Sequence, residues 1–171
     1  MRDAHKAIRR TRHVTPTIEE LVSDLNGATV FSKIDLRSGY HQLELDPESI
    51  YITTFSTHVC LYRYKRLIFG LNSAAEVFQH TVQEVIAGIP GARNVPGDIN
   101  CFGSNQAGRD RTLDATLHRL HSSELTVNEQ KCEFNKDETE FFGFIFSAAW
   151  LRPDSKKVHA LHDAPRPQNV S

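Results

Sequence analysis

The sequence predicts an α+β fold in which an antiparallel sheet carries helices on one face. Strand and helix signals alternate along the chain in the order strand, helix, hairpin, helix, strand, which is the order of a split β-α-β-β-α-β unit. The 171 residues are 39% hydrophobic and 24% charged, a balance that supports a hydrophobic core and excludes collagen-like, coiled-coil and disordered chains. One domain over residues 1–171 is therefore expected.

Four helices are predicted from capping residues and apolar spacing. The first covers about residues 17–25 and begins with the capping-box pattern Thr17-Ile-Glu-Glu20. A second capping-box pattern, Ser73-Ala-Ala-Glu76, begins a helix whose apolar stripe extends to Ile86. A third helix is expected over about residues 106–122 and a short fourth over about 155–162.

Strands are predicted from β-branched, aromatic and alternating residues in three stretches: residues 28–36, 40–45 and 50–64. Residues 92–103 predict a hairpin centred on Val95-Pro96-Gly97-Asp98, because Pro and Gly suit the two middle positions of a type II turn. Residues 139–153 predict a last hairpin, in which Phe141–Phe146 forms one packed strand.

The charge is distributed unevenly, although a net charge of −1 gives no overall nucleic-acid signature. Residues 1–13 are basic, with Arg2, Arg9, Arg10 and Arg12, residues 14–60 are acidic, and three cations follow at Arg63, Lys65 and Arg66. Basic patches on both sides of an acidic stretch suit a protein that holds a phosphate backbone around a metal centre. Ordinary solvated faces are the alternative interpretation.

The cysteines and the N-terminal residues indicate an intracellular, soluble protein. Cys60, Cys101 and Cys132 are far apart and form no CxxC pair, which favours free thiols in a reducing compartment, with Cys101 and Cys132 as small buried residues. No apolar segment of signal-peptide or membrane-helix type occurs, so no membrane partner is expected. The helical pairs His118/His121 and His159/His162 are interpreted as solvated rather than metal-binding.

Two aspartates form the candidate catalytic site. Asp35 ends a predicted strand and Asp98 follows the turn of a predicted hairpin, so both side chains are expected at neighbouring strand ends. Paired carboxylates in this arrangement often hold Mg²⁺ for phosphoryl transfer. The alternative is that Asp35 caps a turn and Asp98 fills a favoured turn position.

The sequence around these aspartates is similar to a known family. Five segments occur in order: Phe31-Ser-Lys-Ile-Asp-Leu-Arg-Ser-Gly-Tyr-His-Gln42, Tyr51-Ile-Thr-Thr-Phe-Ser-Thr57, Tyr64-Lys-Arg-Leu-Ile-Phe-Gly-Leu71, Asn128-Glu-Gln-Lys-Cys-Glu-Phe134 and Phe141-Phe-Gly-Phe-Ile-Phe-Ser147. Together they closely resemble the reverse transcriptase domain of gypsy-type LTR retrotransposon polyproteins, over essentially the whole chain. The resemblance implies a palm with partial fingers at about residues 1–27 and 44–70, and RNA-directed DNA polymerisation from dNTPs on an RNA or DNA template-primer with two Mg²⁺ ions.

The resemblance also implies roles for individual residues. Asp35 matches the first catalytic carboxylate, Asp98 matches a second metal ligand, and Lys131 matches a lysine that protonates pyrophosphate. Substrate-binding residues are implied at Tyr40, Phe69, Gly70, Phe78 and Gln79. The primer-holding hairpin is matched by Phe142, Gly143 and Phe144, and the cations Arg63, Lys65 and Arg66 are candidates for nucleic-acid contacts.

The chain departs from the family at the catalytic hairpin. Ile99-Asn-Cys-Phe-Gly103 sets the alignment, so Asp98 matches the second of two adjacent aspartates and Gly97 replaces the first. Loss of a central catalytic group typically lowers the rate by about 10³- to 10⁶-fold, so an inactive or severely impaired polymerase is expected. A relic that binds nucleic acid or protein without catalysis is the alternative.

Two further departures are noted. Upstream fingers residues and the thumb, ribonuclease H and integrase domains of the family are expected to be absent, which makes missing polyprotein domains candidate partners. Residues at family glycine positions, Cys60, Glu124 and Ala149-Trp150, are expected to be strained wherever the backbone needs a positive φ.

Overall fold

The computed structural model describes residue 8 and residues 16–155. These described residues form three helices, nine strands and three short 3₁₀ helices. The helices are α1 (Ile18–Asp24), α2 (Ala74–Val85) and α3 (Gln106–Ser122). The strands are β1 (Val30–Asp35), β2 (Phe55–Ser56), β3 (Leu61–Tyr62), β4 (Ala92–Val95), β5 (Asp98–Gly103), β6 (Glu133–Lys136), β7 (Glu138–Phe141), β8 (Phe144–Ser147) and β9 (Leu151–Pro153). The 3₁₀ helices are Gly39–Gln42, Ser49–Thr53 and Glu129–Lys131.

The central sheet has the strand order β4-β5-β1-β6, and all of its pairs are antiparallel. Along the chain, β1 is followed by α2, the β4–β5 hairpin, α3 and β6. This is the predicted split β-α-β-β-α-β order, so the predicted α+β fold class is confirmed. Two smaller sheets accompany it, β2-β3 and β7-β8-β9.

Both faces of the central sheet are covered. On one face, Ile34, Ile99 and Cys101 of the sheet belong to the same buried cluster as side chains of α2 and α3, which include Phe78, Val82 and Leu120. On the other face, Phe31 and Phe102 pack with Leu21 and Leu25 from α1 and with Phe141 and Phe146 from the β7–β8 hairpin. Side chains alternate between the faces of a strand, so Phe31, Lys33 and Asp35 of β1 all lie on the second face.

All three helices begin where the sequence predicts, but only two of them have a side-chain capping hydrogen bond. Thr17 and Glu20 form the predicted capping box at α1, and the Asn105 side chain accepts a hydrogen bond from the backbone of Gly108 at α3. The capping box predicted at Ser73 was wrong, because the Ser73 side chain makes no capping hydrogen bond to the start of α2. The buried positions of Ser73 and Ala74 indicate that packing, not capping, holds this helix end.

Several strand predictions were corrected. Residues 40–45 were predicted as strand, but Gly39–Gln42 forms a 3₁₀ helix, and in residues 50–64 only β2 and β3 are strands. Phe141–Phe146 is not one strand, because Phe142 and Gly143 turn the chain with φ values of 48° and 81°. The edge strand β6 has four exposed residues and so lacks the alternating pattern that would have predicted it. The expected helix over 155–162 lies outside the described residues apart from Ser155.

The expectation of strained turns holds at one position. Glu124 has a φ of 58°, whereas Cys60, Ala149 and Trp150 do not have positive φ values. Glycine is therefore needed at only one of the turns where the family pattern suggested it.

No helix in the described part of the chain is both long and apolar enough to cross a membrane.

We expect Gly91→Ala to destabilise the fold much more than Gly88→Ala. Both glycines have a φ of 78°, but a Cβ atom at Gly91 would lie 2.6 Å from the carbonyl oxygen of Phe102, whereas a Cβ at Gly88 would meet no atom within 4 Å. The left-handed backbone alone costs about 1–2 kcal/mol, and overpacking adds about 1–3 kcal/mol at Gly91. Urea unfolding of both variants measures the difference, and equal losses would contradict the packing argument.

Candidate active site

The pairing of β1 with β5 brings the two candidate carboxylates together. Asp35 and Asp98 are direct cross-strand partners at the end of the ladder, as expected from the sequence. Leu36, the residue after Asp35, forms an isolated antiparallel bridge with Val127, and the backbone N–H of Asn128 donates a 2.8 Å hydrogen bond to the carbonyl oxygen of Asp35. The end of β1 is therefore held from both sides.

A cleft of about 470 Å³ opens beside Asp35. It brings together most of the predicted site: Asp35, Tyr40, Phe69, Phe78, Gln79, Gly97 and Lys131 all line it. Arg37 and Asn128 line it as well. Gly70 and Asp98 were predicted for the same site but are not lining residues. Residues from five separate segments of the chain thus converge on one concave surface.

An aromatic cluster forms part of the cleft. The ring of Tyr40 lies 4.7 Å from that of Phe69 and 5.0 Å from that of Phe78, with which it is stacked. Phe78 is buried in α2, whereas Phe69 is 61% exposed. Gly39 is needed next to this cluster, because a Cβ atom there would lie 2.5 Å from Cζ of Phe78. The arrangement offers a flat apolar surface of the kind that stacks against sugars or bases.

The Asp98 carboxylate is paired with a lysine. Nζ of Lys33 lies 2.9 Å from Oδ2 of Asp98, and the two side chains are 32% and 24% exposed. Burial by itself lowers the pKa of Lys33, but the hydrogen bond and charge of Asp98, with Glu133 and Glu140, raise it overall. Lys33 is therefore charged at neutral pH and neutralises Asp98.

Sequence reasoning missed Lys33, although a signal was present. Lys33 lies two residues before Asp35, so both side chains belong to the same face of β1. The β1–β5 register then makes Asp98 the diagonal neighbour of Lys33. Only the register, which the sequence did not specify, shows that this lysine reaches the carboxylate.

The turn before Asp98 confirms the predicted hairpin. Gly97 has a φ of 102°, which agrees with the third position of a type II turn, and both Pro96 and Gly97 are exposed. A Cβ atom at Gly97 would meet no atom within 4 Å. The position thus has room for a side chain, but an aspartate with this φ is strained.

A second missed residue, Gln42, orders the loop that borders the cleft. Its Nε2 donates to the carbonyl oxygens of Arg37 and Thr126 at 2.6 and 3.0 Å, and its Oε1 accepts from the backbone N–H of Thr126 at 2.6 Å. Both ends of the amide are used, so Gln42 joins the loop after β1 to the segment after α3. The sequence signal that could have identified Gln42 was its position at the end of the family-like segment that begins at Phe31.

The predicted cations lie on or beside the β2–β3 hairpin. The guanidinium of Arg63 stacks 4.1 Å from the ring centre of Tyr51, and Lys65 is exposed. Arg66 is bound within the chain, because it contacts Glu44 at 3.0 Å and the carbonyl oxygen of Gln42 at 3.0 Å. Arg2, Arg9, Arg10 and Arg12 lie outside the described residues.

The predicted primer-holding hairpin is separate from the cleft. Phe142 is exposed at the turn between β7 and β8, Gly143 is buried there, and Phe144 packs against the second core. The carbonyl oxygen of Gly143 accepts a hydrogen bond from the backbone of Asp154 at 2.8 Å. The structure thus presents one aromatic side chain of this segment at the surface.

The structure also shows the exposure of one predicted histidine pair and the burial of the cysteines. His118 and His121 are exposed on α3, and the second pair, His159 and His162, lies outside the described residues. Cys101 is buried, which raises the pKa of its thiol to about 11. Cys132 is half-buried rather than buried, and all three cysteines are free.

Comparison with known proteins assigns the family. A sequence family described as "Reverse transcriptase (RNA-dependent DNA polymerase)" matches residues 1–146. The chain belongs to the reverse transcriptase family. Among curated relatives, it is 32% identical over 161 residues to the retrovirus-related Pol polyprotein from transposon gypsy of Drosophila melanogaster, and 30% identical over 171 residues to that from transposon 412 of the same fly.

These matches cover 93% and 99% of this chain but only 16% and 14% of the two polyproteins, so this reverse transcriptase chain spans a small part of its relatives. Among solved structures, the foamy viral protease-reverse transcriptase in complex with double-stranded DNA has a TM-score of 0.83 at 20% identity, covering 97% of this chain and 29% of that one. The same viral enzyme in complex with an RNA/DNA hybrid has a TM-score of 0.81 at 19% identity. That match covers 97% of this chain and 23% of the viral chain. The fold is therefore that of a reverse transcriptase.

Reverse transcriptases use Mg²⁺, and the residues at this site do not fit two such ions. Mg²⁺ needs a near-octahedral set of oxygen ligands, for which proteins supply carboxylates. Here Gly97 supplies no side-chain ligand and the Asp98 carboxylate is paired with Lys33. The described residues contain no group of three or more His, Cys, Asp or Glu side chains that could hold a metal ion.

We expect Gln42→Glu to lower the free energy of unfolding by about 1–3 kcal/mol, because a carboxylate there cannot donate to the two carbonyl oxygens that it would face. Gln130→Glu provides the control, since it makes the same chemical change at an exposed position. Urea unfolding compares the two variants. If both had the same stability as the unmodified chain, the Gln42 hydrogen bonds would not be holding the loop.

Proposed function

We propose that this chain is the palm, with part of the fingers, of an RNA-directed DNA polymerase whose catalytic step is severely impaired, while its surfaces for nucleotide and template-primer are retained. The observation that carries the proposal is the cleft itself. It keeps Asp35, the aromatic cluster and two cations, but it has Gly97 where the family has a carboxylate. The finger-like parts would be residues 1–27 and 44–70.

Nucleotide binding is supported by the cleft's own residues. Arg37 and Lys131 line the cleft and provide positive charge for a triphosphate, and Tyr40 with Phe69 provides a surface for the sugar or base. The cleft volume of about 470 Å³ is in the range of small-molecule sites. These groups bind and orient a substrate without depending on Gly97.

Impaired catalysis is supported by the electrostatics of the carboxylates. Phosphoryl transfer depends on positioning and on the stabilisation of charge around the transferred group. The hairpin offers one carboxylate instead of two, and that carboxylate already contacts an ammonium group. Fewer groups would then organise charge at the reacting phosphate, which supports slow catalysis.

A second candidate function, nucleic-acid binding without catalysis, is favoured by the β2–β3 hairpin. Phe55 stacks on both Tyr62 and Tyr64, at 5.9 and 5.1 Å between ring centres, and all three rings are at least 40% exposed. Arg63 and Lys65 interleave with these aromatic residues in the sequence. Exposed aromatic rings beside cations are typical of surfaces that bind single-stranded nucleic acid. The complexes of the foamy viral enzyme with DNA and RNA/DNA hybrid support a nucleic-acid ligand for this fold.

We expect restoration of the carboxylate to restore polymerisation in a complete enzyme. The experiment uses a gypsy-type reverse transcriptase in which residues 16–155 of this chain replace the equivalent segment. Three versions are compared: the native turn, Gly97→Asp, and Pro96→Ser/Gly97→Asp. The double variant is included because Pro96 and the positive φ at position 97 disfavour an aspartate there. Primer extension on an RNA template with Mg²⁺ should be at least about 10³-fold slower with the native turn than with the better restored version.

Native-turn activity within tenfold of the intact enzyme would contradict the proposal. If all three versions were inactive while they still bound template-primer, the loss of activity would remain but Gly97 would not be its cause. The second candidate function would then be the better description of the chain.

We expect the hairpin cations to set the salt dependence of template-primer binding. Arg63→Gln/Lys65→Gln should reduce the slope of log affinity against log salt by about one for each lost phosphate contact. Arg111→Gln/Arg119→Gln removes the same charge from exposed positions on α3 and should leave the slope unchanged. Fluorescence anisotropy with a labelled RNA/DNA duplex measures both, and equal slopes for the two double variants would reject the hairpin as the binding surface.

A further inference from the structure

We propose that Lys33 is an internal counter-cation, whose ammonium group takes the place of a divalent cation beside Asp98 and so lowers the affinity of the Asp35–Asp98 pair for divalent metal ions. The inference deepens the proposed function, since it concerns the same site, but it depends on the Lys33 contact and not on polymerase activity. It assigns a positioning role to a residue that lies outside the cleft lining.

The β-sheet geometry explains why a counter-charge is needed here. Asp35 and Asp98 are directly opposite each other on antiparallel strands, and like charges in that arrangement repel. Neither carboxylate is fully solvated, because both residues are half-buried. A cation must therefore compensate for them, and the structure places one at 2.9 Å from Oδ2 of Asp98.

The neighbouring strands hold Lys33 in this position. Glu133 of β6 is its cross-strand partner, and Glu140 of β7 contributes negative charge on the same side. Lys136, on the same neighbouring strand, forms an ion pair with Glu133, at 3.8 Å between Nζ and Oε2. Lys33 thus lies beside acidic residues of the neighbouring strands, and its ammonium group contacts Asp98.

The pairing has a direct consequence for metal binding. A divalent ion that approached Asp98 would have to displace the Lys33 ammonium from Oδ2 or accept its repulsion at close range. A partly desolvated ion pair is screened less than a surface pair, so this competition remains effective at physiological salt. Lys33 already faces two carboxylates, Asp35 and Asp98, and a third carboxylate in place of Gly97 would increase the excess of negative charge.

The experiment measures Mn²⁺ binding by the chain, using electron paramagnetic resonance of the free ion, with no nucleotide or nucleic acid present. Lys33→Met should raise the affinity for Mn²⁺ by about fivefold, because the Lys33–Asp98 pair is half-buried and its loss should count for more than that of an exposed ion pair. Lys136→Met is the matched control, because it removes the same charge from the adjacent strand without contacting Asp98. It should change the affinity by less than about twofold.

Two more variants make the result specific. Asp98→Asn in the Lys33→Met background should abolish the gain, and Lys33→Arg, which keeps the charge, should bind Mn²⁺ as weakly as the unmodified chain. Circular dichroism checks each fold, and Lys33→Gln replaces Lys33→Met if the latter does not fold.

Equal changes for the Lys33 and Lys136 variants, or no measurable gain on loss of Lys33, would overturn the inference. Since no step of the assay requires polymerisation, failure of the proposed function would appear separately, as native-turn primer extension close to that of the intact enzyme.

Discussion

The antiparallel pairing of β1 with β5 is the constraint on which the rest of the structure depends. It runs without interruption from Val30 opposite Gly103 to Asp35 opposite Asp98. Because side chains alternate along these strands, one register places Ile34 and Ile99 under α2 and α3 and directs Phe31 and Phe102 into the second core. A slip of β5 by one residue would turn its side chains to the opposite face and move Asp98 away from Asp35.

The same register creates the electrostatic problem that the site has to solve. Two carboxylates in direct opposition need positive charge, which a reverse transcriptase draws from Mg²⁺. In this chain Gly97 provides no carboxylate at the turn, and Lys33 supplies an ammonium group to Asp98. The aromatic and cationic residues of the cleft beside them, among them Tyr40, Phe69 and Lys131, come from segments other than the hairpin turn.

The parts of the fold that the sequence predicted are those with local causes. The bounds of α3, the capping box of α1 and the hairpin at Gly97 follow from neighbouring residues, and all were confirmed. Predictions were wrong where distant packing decided the outcome. Residues 40–45 alternate like a strand, but Gly39–Gln42 forms a 3₁₀ helix in which Tyr40 stacks on Phe78 and Gln42 reaches Thr126. The Phe141–Phe146 run bends at Gly143, so that Phe141 and Phe146 enter one core together.

The sequence by itself determined the family and the strand-helix order, because motif spacing and residue identity are properties of the linear chain. It also identified Asp35, Tyr40, Phe69, Gln79 and Lys131, which the structure brings to one cleft. Only the tertiary structure decided that Asp98 turns to Lys33 and that Gln42 joins two loops. Those contacts join residues 65 and 84 positions apart, and their formation depends on strand register and loop packing, which no local pattern specifies.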